Sequence, residues 1–392
     1  MFNLRCLSLF SNIGVAEAYF EEIDIDVCIA NEIDEHRAEI YRSIYPNTEV
    51  LQGDIVDPSI RRHIVDTSKK KKVNFVIATP PCQGMSIAGN KDPLDPRNHL
   101  IFYAIDVIKR LQPCFVLIEN VPRQMQTKIF LGDKLTPIPS FIKNALGQHY
   151  FFNADAELFN TADFGVPQNR ERSIFLAIRK DVGISWPLPD KENEVINLEE
   201  SIGALPPLDP LLREGIELTT AKFPDYEKKR IAGLNASRWH IPPVHPWRQV
   251  EWMTHTPTGA SAIFNSKHYP IKRDGSPIKA HHNHYRRLAW DKPSRTVDTY
   301  NAYLSTLSSA HPGRKIISAA NGKTTYSDAR ALSILELLIV MSLPKDWPIP
   351  SDVNIPLLRT SLGEGIPPLL TKKLLQKLQE SLQNPQQCVL PL

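Results

Sequence analysis

Short apolar runs alternate with helical segments through the N-terminal half of the chain, and this alternation restricts the folds that the chain can adopt. Strands that are apolar on both faces belong to parallel sheets covered by helices on both sides. The sequence therefore predicts an α/β fold with a doubly wound, Rossmann-like domain. The predicted strands are Leu4–Phe10, Asp26–Glu32, Glu49–Gln52, Val73–Thr79 and Cys114–Asn120. The predicted helices are Val15–Glu22, His36–Tyr45 and Leu100–Leu111.

The alternation of strands and helices is lost after residue 182. Residues 183–326 are rich in Pro, His, Trp and Arg and show no regular helical or strand period. A helical pattern returns at Ser327–Pro344, and Pro367–Gln383 is a clear amphipathic helix. We therefore predict a catalytic domain at 1–182, a smaller inserted domain at 183–326, and a segment at 327–392 that returns to the first domain.

The composition is that of an ordinary soluble protein, with 42% hydrophobic and 23% charged residues. No apolar stretch approaches the ~20 residues of a membrane span, and the N-terminal run is better explained as a strand than as a signal peptide. The cysteines form no CxxC pair, which argues against zinc and disulfides and favours a reducing cytoplasm. The net charge of +3 permits nucleic acid as a partner without requiring it, and Lys69–Lys72 is predicted to be a solvated turn.

Polar and reactive residues follow the predicted strands at their carboxyl ends, where open parallel sheets bind ligands. Glu32 follows Gly14 by about 18 residues, close to the spacing expected for a carboxylate that holds ribose hydroxyls. The G-x-G-x-x-G fingerprint is absent, however, which favours a nucleoside ligand without a pyrophosphate. The segments at this edge are Ser11–Gly14, Asn31–Glu32, Gly53–Ile55, Pro81–Gln83 and Glu119–Val121.

Cys82 and Glu119 are the two residues at this edge with the clearest chemical potential. A lone cysteine is usually an inert buried residue, and a strand-end carboxylate is usually structural. Cys82, however, follows Pro80-Pro81, which stop strand pairing and hold the backbone rigid. On neighbouring strands, the thiol and the carboxyl offer a nucleophile beside an acid.

A series of short motifs runs through the chain in a fixed order, and its order and spacing are specific. These motifs resemble the DNA cytosine-5 methyltransferase family of bacterial restriction-modification systems, over residues 1–182 and about 284–385. Asn12 and Glu364 depart from the family pattern, which usually has glycine and asparagine there. The motifs are LFSNIG at 9–14, NE at 31–32, GDI at 53–55, PPCQGMS at 80–86, RNHLIF at 97–102, ENV at 119–121, FGVPQNRERSIFLAI at 164–178, RRLAWDKPSRTV at 286–297 and GEGIPPLL at 363–370.

The resemblance implies a reaction and a set of site residues. A methyl group would pass from S-adenosylmethionine to C5 of a cytosine flipped out of a specific double-stranded DNA sequence, through a covalent bond between Cys82 and C6. Glu119 would protonate N3 and should have a raised pKa when buried. The implied catalytic residues are Cys82, Glu119, Asn120, Gln168, Arg170 and Arg172, the last three alternating on one face of a strand. The implied cofactor-binding residues are Phe10, Gly14, Glu32, Ile33, Asp54, Ile55, Leu100, Glu364 and Ile366.

The segment between the two matching regions corresponds to the family's target recognition region. Basic and aromatic residues interleave there, which suits contacts to bases and phosphates. His281-His282-x-His284 could bind a metal, but no acidic or thiol partner is nearby and we expect none. The interleaved residues are Arg238, Trp239, His240, Trp247, Arg248, His281, His282 and His284.

The resemblance further implies a monomer that acts on DNA in the bacterial cytoplasm beside a restriction endonuclease. Three other functions stay open on the sequence: a tRNA cytosine-5 methyltransferase, a nucleoside-binding regulator without catalysis, and an NAD-dependent oxidoreductase. The long central segment favours DNA over tRNA. Cys82, Glu119 and the two arginines argue against a regulator, and the broken glycine fingerprint argues against NAD.

Overall fold

The computed structural model describes residues 3–81, 95–153, 157–272, 274–278, 281, 283–306, 310–318 and 322–383. Cys82 lies outside these residues. The strands of the N-terminal part are β1 (Leu4–Leu9), β2 (Ile25–Glu32), β3 (Glu49–Gln52), β4 (Phe75–Ala78), β5 (Phe115–Asn120), β6 (Lys128–Leu131), β7 (Lys134–Pro137), β8 (Tyr150–Phe152), β9 (Glu157–Asn160) and β10 (Glu171–Arg179). Its helices are α1 (Glu35–Ile44), α2 (Pro58–Lys70), α3 (Leu100–Leu111) and α4 (Ile138–Leu146).

These strands form a central sheet in the order β3-β2-β1-β4-β5-β10-β8, with β9 also pairing to β10. The strands β1 to β5 pair in parallel, whereas β8, β9 and β10 run antiparallel. Strands β6 and β7 form a separate hairpin. A mainly parallel sheet with helices around it confirms the predicted α/β fold, to which the structure adds an antiparallel edge.

Both faces of the sheet are buried, as the apolar strands require. Leu7 faces a cluster that includes Ile64 of α2 and Ile105 of α3. The neighbouring Cys6 faces the opposite cluster, which includes Trp186. Successive residues of a strand point to opposite faces, so the continuous apolar runs in the sequence follow directly from burial on both sides.

The rest of the chain contains helices and small sheets. Its helices are α5 (Leu198–Ile202), α6 (Ile216–Lys222), α7 (Tyr226–Ala236), α8 (Trp247–Thr254), α9 (Ile334–Val340), α10 (Ile355–Glu364) and α11 (Pro368–Gln383). Its strands are β11 (Leu211–Leu212), β12 (Val244–His245), β13 (Lys315–Ile317) and β14 (Thr324–Tyr326), which pair two by two. The amphipathic helix predicted at the C-terminus is therefore present as α11, and it packs on one face of the sheet through Leu374.

The central region has an apolar core of its own and also shares one with the flanking segments. Trp252, Met253 and Tyr285 belong to a cluster made almost entirely of residues from the central region. Trp239 and Leu288 instead join the cluster that contains residues from both flanking segments. The central region therefore both folds on itself and packs against the catalytic part. Its boundaries at 183 and 326 stay a prediction.

The prediction of a helix at Val15–Glu22 was wrong. The structure has turns there, followed by a short 3-10 helix at Glu21–Ile23. The Thr371 hydroxyl of α11 donates to the Ala16 carbonyl, and Phe20 N–H donates back only three residues, to Glu17. The segment lies between the sheet and the C-terminal helices, so tertiary contacts outweigh its helical pattern.

The helix predicted over Ser327–Pro344 is present only at Ile334–Val340. Before it, the buried Arg330 side chain turns inward to Asp328 at 2.8 Å and to Glu336 at 2.7 and 2.9 Å. Its Nε also donates to the Leu208 carbonyl at 3.2 Å. Removing one partner of such a buried charge cluster costs about 3–5 kcal/mol. The cluster therefore sets the local backbone and ties the central region to the C-terminal segment.

Several helices were missed by the sequence analysis. Helix α2 begins with Asp57, whose side chain accepts from Ser59 N–H, and has Pro58 in its first turn. Asp-Pro at that position is a usable helix-start signal. The helix runs through Lys70, so the predicted turn at Lys69–Lys72 is correct only for its last two residues. Helices α6 to α8 lie in the region where no period had been found.

Glu17 is a buried carboxyl directly behind the turn that follows β1. It accepts a hydrogen bond from the Ser8 hydroxyl, and its other oxygen has no hydrogen-bond partner in the described part of the chain. Burial raises the pKa of Glu17 from 4.5 to about 7. A carboxyl with a higher pKa in the folded state stabilises the fold at low pH and loses that contribution as the pH rises through the folded value.

We expect Glu17 to make the wild-type protein less stable as the pH rises from about 5 to about 7, by up to about 3 kcal/mol. Glu17→Gln cannot ionise and should lack this part of the pH dependence. The measurement is the free energy of unfolding in urea from pH 5 to pH 8 for both proteins. A constant difference between the two across this range would contradict the prediction.

Candidate active site

The parallel register brings the carboxyl ends of β1, β2, β4 and β5 to one edge of the sheet. Leu9 pairs with Asn31 on one side and with Ala78 on the other, and Ala78 pairs with Ile118. The residues just beyond these pairs therefore meet along that edge. They include Phe10, Glu32, Pro80, Glu119 and Asn120.

Glu119 and Arg172 form a buried ion pair at this edge. Arg172 Nε lies 2.7 Å from Glu119 Oε1, and the two residues are only 8% and 7% exposed. The pair follows from the antiparallel register of β5 and β10, which sets Glu119 opposite Ile174. Burial raises the pKa of Glu119, while the charges of Arg172 and Arg170 oppose that rise. A carboxyl with a raised pKa holds and delivers a proton more readily than a free carboxyl does.

Asn120 holds the backbone that leads toward Cys82. Its side-chain amide donates to the Pro80 carbonyl at 3.0 Å, and its oxygen accepts from Val121 N–H at 2.8 Å. Thr79 adds two bonds to the end of β1, from its N–H to Leu9 and from its hydroxyl to Phe10. Cys82 itself is outside the described residues, but Thr79 and Pro80 shortly before it are anchored at the edge of the sheet.

Gln168 and Arg170 precede strand β10, which begins only at Glu171. The predicted alternation is nevertheless present, because Gln168, Arg170 and Arg172 are buried while the residues between them are exposed. Arg170 is buried and donates to the carbonyls of Val297 and Gly363, each at 2.8 Å. Gln168 donates to the Val340 carbonyl at 3.2 Å and accepts from Val297 N–H at 3.0 Å. Arg172 thus contacts Glu119, whereas Gln168 and Arg170 join distant segments of the chain.

The turn after β1 has an unusual backbone. Phe10, Asn12 and Gly14 all have positive φ, at 59°, 52° and 83°. The left-handed region favours glycine, and asparagine is among the few other residues that tolerate it, which accounts for Asn12 where the family usually has glycine. A Cβ on Gly14 would lie 2.1 Å from the Tyr45 ring, so this position requires glycine.

Glu32 is held by three backbone N–H groups at the edge. Its Oε1 accepts from Ile33 and Asp34 at 3.0 Å, and its Oε2 accepts from Asn12 at 2.8 Å. Burial raises the pKa of Glu32, and these hydrogen bonds and the nearby Arg37 charge oppose the rise. Each carboxylate oxygen keeps acceptor capacity, so the group can also hold sugar hydroxyls.

The other predicted cofactor residues divide into edge and core positions. Ile33 is 59% exposed, which is unusual for isoleucine and fits a contact with a planar apolar group. Asp54 is exposed beyond β3, while Phe10 and Leu100 are half-buried. Ile55 and Ile366 are buried in the cores beneath the edge. The hydrogen-bonded Glu32 carboxylate, the exposed Ile33 side chain and the Asp54 carboxylate together fit the binding of a nucleoside.

Glu364 pairs with a residue that the sequence analysis missed. Arg37 Nη1 lies 2.6 Å from Glu364 Oε2, although the two are 327 positions apart. No local pattern in the sequence indicates this contact. Among the described residues, no group of three or more His, Cys, Asp or Glu side chains could hold a metal ion. His282 of the predicted histidine cluster is outside these residues.

The described helices include none that is long and apolar enough to cross a membrane. The fold is similar to a solved structure whose title reads as a putative DNA modification methyltransferase encoded within a prophage of E. coli. The similarity has a TM-score of 0.66, with 19% identity, and covers 97% of this chain and 100% of that one. The two chains therefore share the same α/β fold.

Sequence comparison specifies the family. The sequence model for C-5 cytosine-specific DNA methylase matches residues 4–380. Type II methyltransferase M1.HgaI of Avibacterium volantium is 39% identical over 381 residues, which cover 96% of this chain and 98% of that protein. Type II methyltransferase M1.HphI of Haemophilus parahaemolyticus is 29% identical, covering 94% and 85%.

The chain belongs to the C-5 cytosine-specific DNA methylase family, and it is a DNA cytosine-5 methyltransferase. This membership confirms the resemblance seen in the motifs and implies the use of S-adenosylmethionine. Glu32 and its neighbours are the residues that would hold this cofactor, which supplies a methyl group when bound.

We expect the two arginines to respond differently to substitution by lysine. Arg170→Lys should lower the free energy of unfolding by about 2–4 kcal/mol, because an ammonium cannot replace a guanidinium that bonds several carbonyls. Arg172→Lys keeps the charge beside Glu119 and should stay within about 1 kcal/mol of wild type while methyl transfer falls at least about tenfold. Urea unfolding and labelled methyl transfer measure the two effects. Equal loss of stability in both variants would refute the division of roles.

Proposed function

We propose that the chain methylates a cytosine flipped out of a specific double-stranded DNA sequence, through a covalent bond between Cys82 and C6 of the base. The observation that carries this proposal is the buried Glu119–Arg172 pair beside the strand end that leads to Cys82. C5 of cytosine is a weak nucleophile. Addition of a thiolate to C6 breaks the aromaticity of the ring and makes C5 nucleophilic.

Glu119 neutralises the negative charge that this addition would create on the ring. As the bond between the Cys82 sulfur and C6 forms, Glu119 gives a proton to N3, so no full negative charge develops on the ring. The direction of the pKa shift supports this role, because burial raises the pKa of Glu119 and so favours its protonated form relative to a free carboxyl. After C5 has gained the methyl group, the C5 proton leaves to a base, the bond to sulfur breaks and the N3 proton returns to Glu119.

The depth of this pair supports base flipping. Glu119 and Arg172 are more than nine-tenths buried at the edge of the sheet. A cytosine stacked inside a duplex cannot bring N3 to such a position, because N3 is then hydrogen-bonded to guanine. The base must leave the duplex and enter the site, which costs a few kcal/mol of unstacking and unpairing.

The central region is the proposed reader of the DNA sequence, and of the residues first chosen Arg238, Arg248 and His281 are exposed. Trp239 and His240 are buried, and the ring nitrogens of His240 contact Ser333 and Pro206 at 2.9 and 2.8 Å. Aromatic side chains that face solvent suit stacking and phosphate contacts better. These are Phe264, Tyr300 and Tyr303, at 71%, 65% and 56% exposure.

The names of the relatives support a place in a restriction-modification system. Both relatives are described as Type II methyltransferases. We propose that this chain likewise protects DNA against a companion endonuclease that cuts the same sequence. Bisulfite sequencing of DNA from cells that express the chain would identify the modified sequence, and unmodified DNA would contradict the proposal.

Cys82→Ser should abolish methyl transfer and leave the fold unchanged, because a hydroxyl is nearly the size of a thiol but a far weaker nucleophile. The wild-type chain should form a covalent complex with a duplex that carries 5-fluorocytosine at the target, and the variant should not. Labelled methyl transfer and denaturing electrophoresis measure the two effects. A variant that keeps more than a few per cent of the wild-type rate would exclude Cys82 as the nucleophile.

Glu119→Gln separates chemistry from cofactor binding. Glutamine keeps the size and one hydrogen bond but has no proton to give, so the methylation rate should fall ~10²–10⁴-fold. Binding of S-adenosylhomocysteine should stay near wild type, since Glu119 is not among the proposed cofactor residues. Single-turnover methylation and calorimetry test both statements. If cofactor binding fell in proportion to the rate, the role of Glu119 as an acid would have to be abandoned.

A further inference from the structure

The C-terminal end of α10 lies directly on the turn that follows β1. Asn12 donates from its side-chain nitrogen to the Ser361 carbonyl at 3.0 Å. One turn further along, a Cβ on Gly365 would lie only 2.7 Å from the Val15 side chain, so the Gly365 backbone packs closely against that side chain. The proposed cofactor site is therefore covered on one side by a segment from the far end of the chain.

The charge of Arg37 links this segment to Glu32. Arg37 lies in the first turn of α1, and its Nε is buried without a hydrogen-bond partner in the described part of the chain. The Arg37 and Glu364 side chains are only 20% and 25% exposed, so their 2.6 Å contact is poorly screened by water. Arg37 also acts on the neighbouring Glu32 carboxyl through its charge. One guanidinium thus contacts the Glu364 carboxylate and acts on the Glu32 carboxylate through its charge.

We propose that Arg37 and Glu364 are a positioning pair that holds the end of α10 over the cofactor site and keeps Glu32 in place. The inference rests on the proposed cofactor site. It also accounts for both departures from the family pattern. Asn12 and Glu364 stand where glycine and asparagine are usual. Asn12 joins the turn after β1 to α10, and Glu364 joins α10 to α1.

A pair of this kind has a distinctive response to substitution. Neutralising Glu364 alone leaves the Arg37 charge partly buried and without its carboxylate partner. Neutralising Arg37 alone leaves the Glu364 carboxylate partly buried and without its guanidinium partner. Removing both charges leaves neither an unpaired guanidinium nor an unpaired carboxylate, so the double variant should bind no more weakly than either single variant.

The test is calorimetric binding of S-adenosylhomocysteine to the full chain without DNA, beside thermal unfolding. We expect Arg37→Gln and Glu364→Gln each to weaken binding about three- to tenfold, and the double variant to bind no more weakly than either. Arg37→Lys keeps the charge and should retain most of the affinity. The control is Glu49→Gln, which breaks the 2.9 Å pair with Lys71 at the opposite end of β3 and should leave binding unchanged.

Four results would overturn the proposal. Unchanged affinity in the single variants would mean that the pair serves only the fold. Independent losses that multiply in the double variant would mean that the two residues act separately. Loss with Glu364→Gln but not with Arg37→Gln would mean that Glu364 contacts the cofactor itself. A wild-type chain that does not bind S-adenosylhomocysteine would contradict the proposed cofactor site, and the pair with it.

Discussion

The buried guanidinium of Arg170 holds together the parts of the chain on which the site depends. It donates to Val297 in the central region and to Gly363 and Glu364 at the end of α10, while its own backbone leads into β10. A desolvated charge is costly unless several partners compensate for it. These carbonyls are close together only when the central and C-terminal segments have both closed on the sheet. Arg170 therefore stabilises the closed arrangement rather than any single element.

The chemistry of the edge is built on the same strand. Two residues beyond Arg170, Arg172 reaches Glu119 across the antiparallel pairing of β5 and β10. Next to Glu119, Asn120 binds Pro80 and so orients the backbone before Cys82. A change that loosens the closure at Arg170 should also disturb the acid at Glu119. The stability of the fold and the geometry of the reaction are coupled through β10.

The sequence predicted the sheet well because apolar runs of strand length fit only a sheet buried on both faces. Strand β3 and helix α3 have the predicted bounds, and the other predicted strands differ by one or two residues. The failures have one cause. Val15–Glu22 and the residues before Ile334 have helical patterns, but buried polar contacts of Glu17 and Arg330 hold them in other conformations. Such contacts reach across the fold and leave no local period.

The sequence by itself determined where the strands end, and hence that Glu32, Glu119 and Asn120 lie at one edge, because strand direction and alternation are local properties of the chain. Only the tertiary structure decided which arginine contacts the acid. It also decided that Glu364 pairs with Arg37, which is 327 positions away. The physical reason is that an ion pair depends on a separation of a few ångströms in space. That separation is set by how distant segments pack and not by their spacing along the chain.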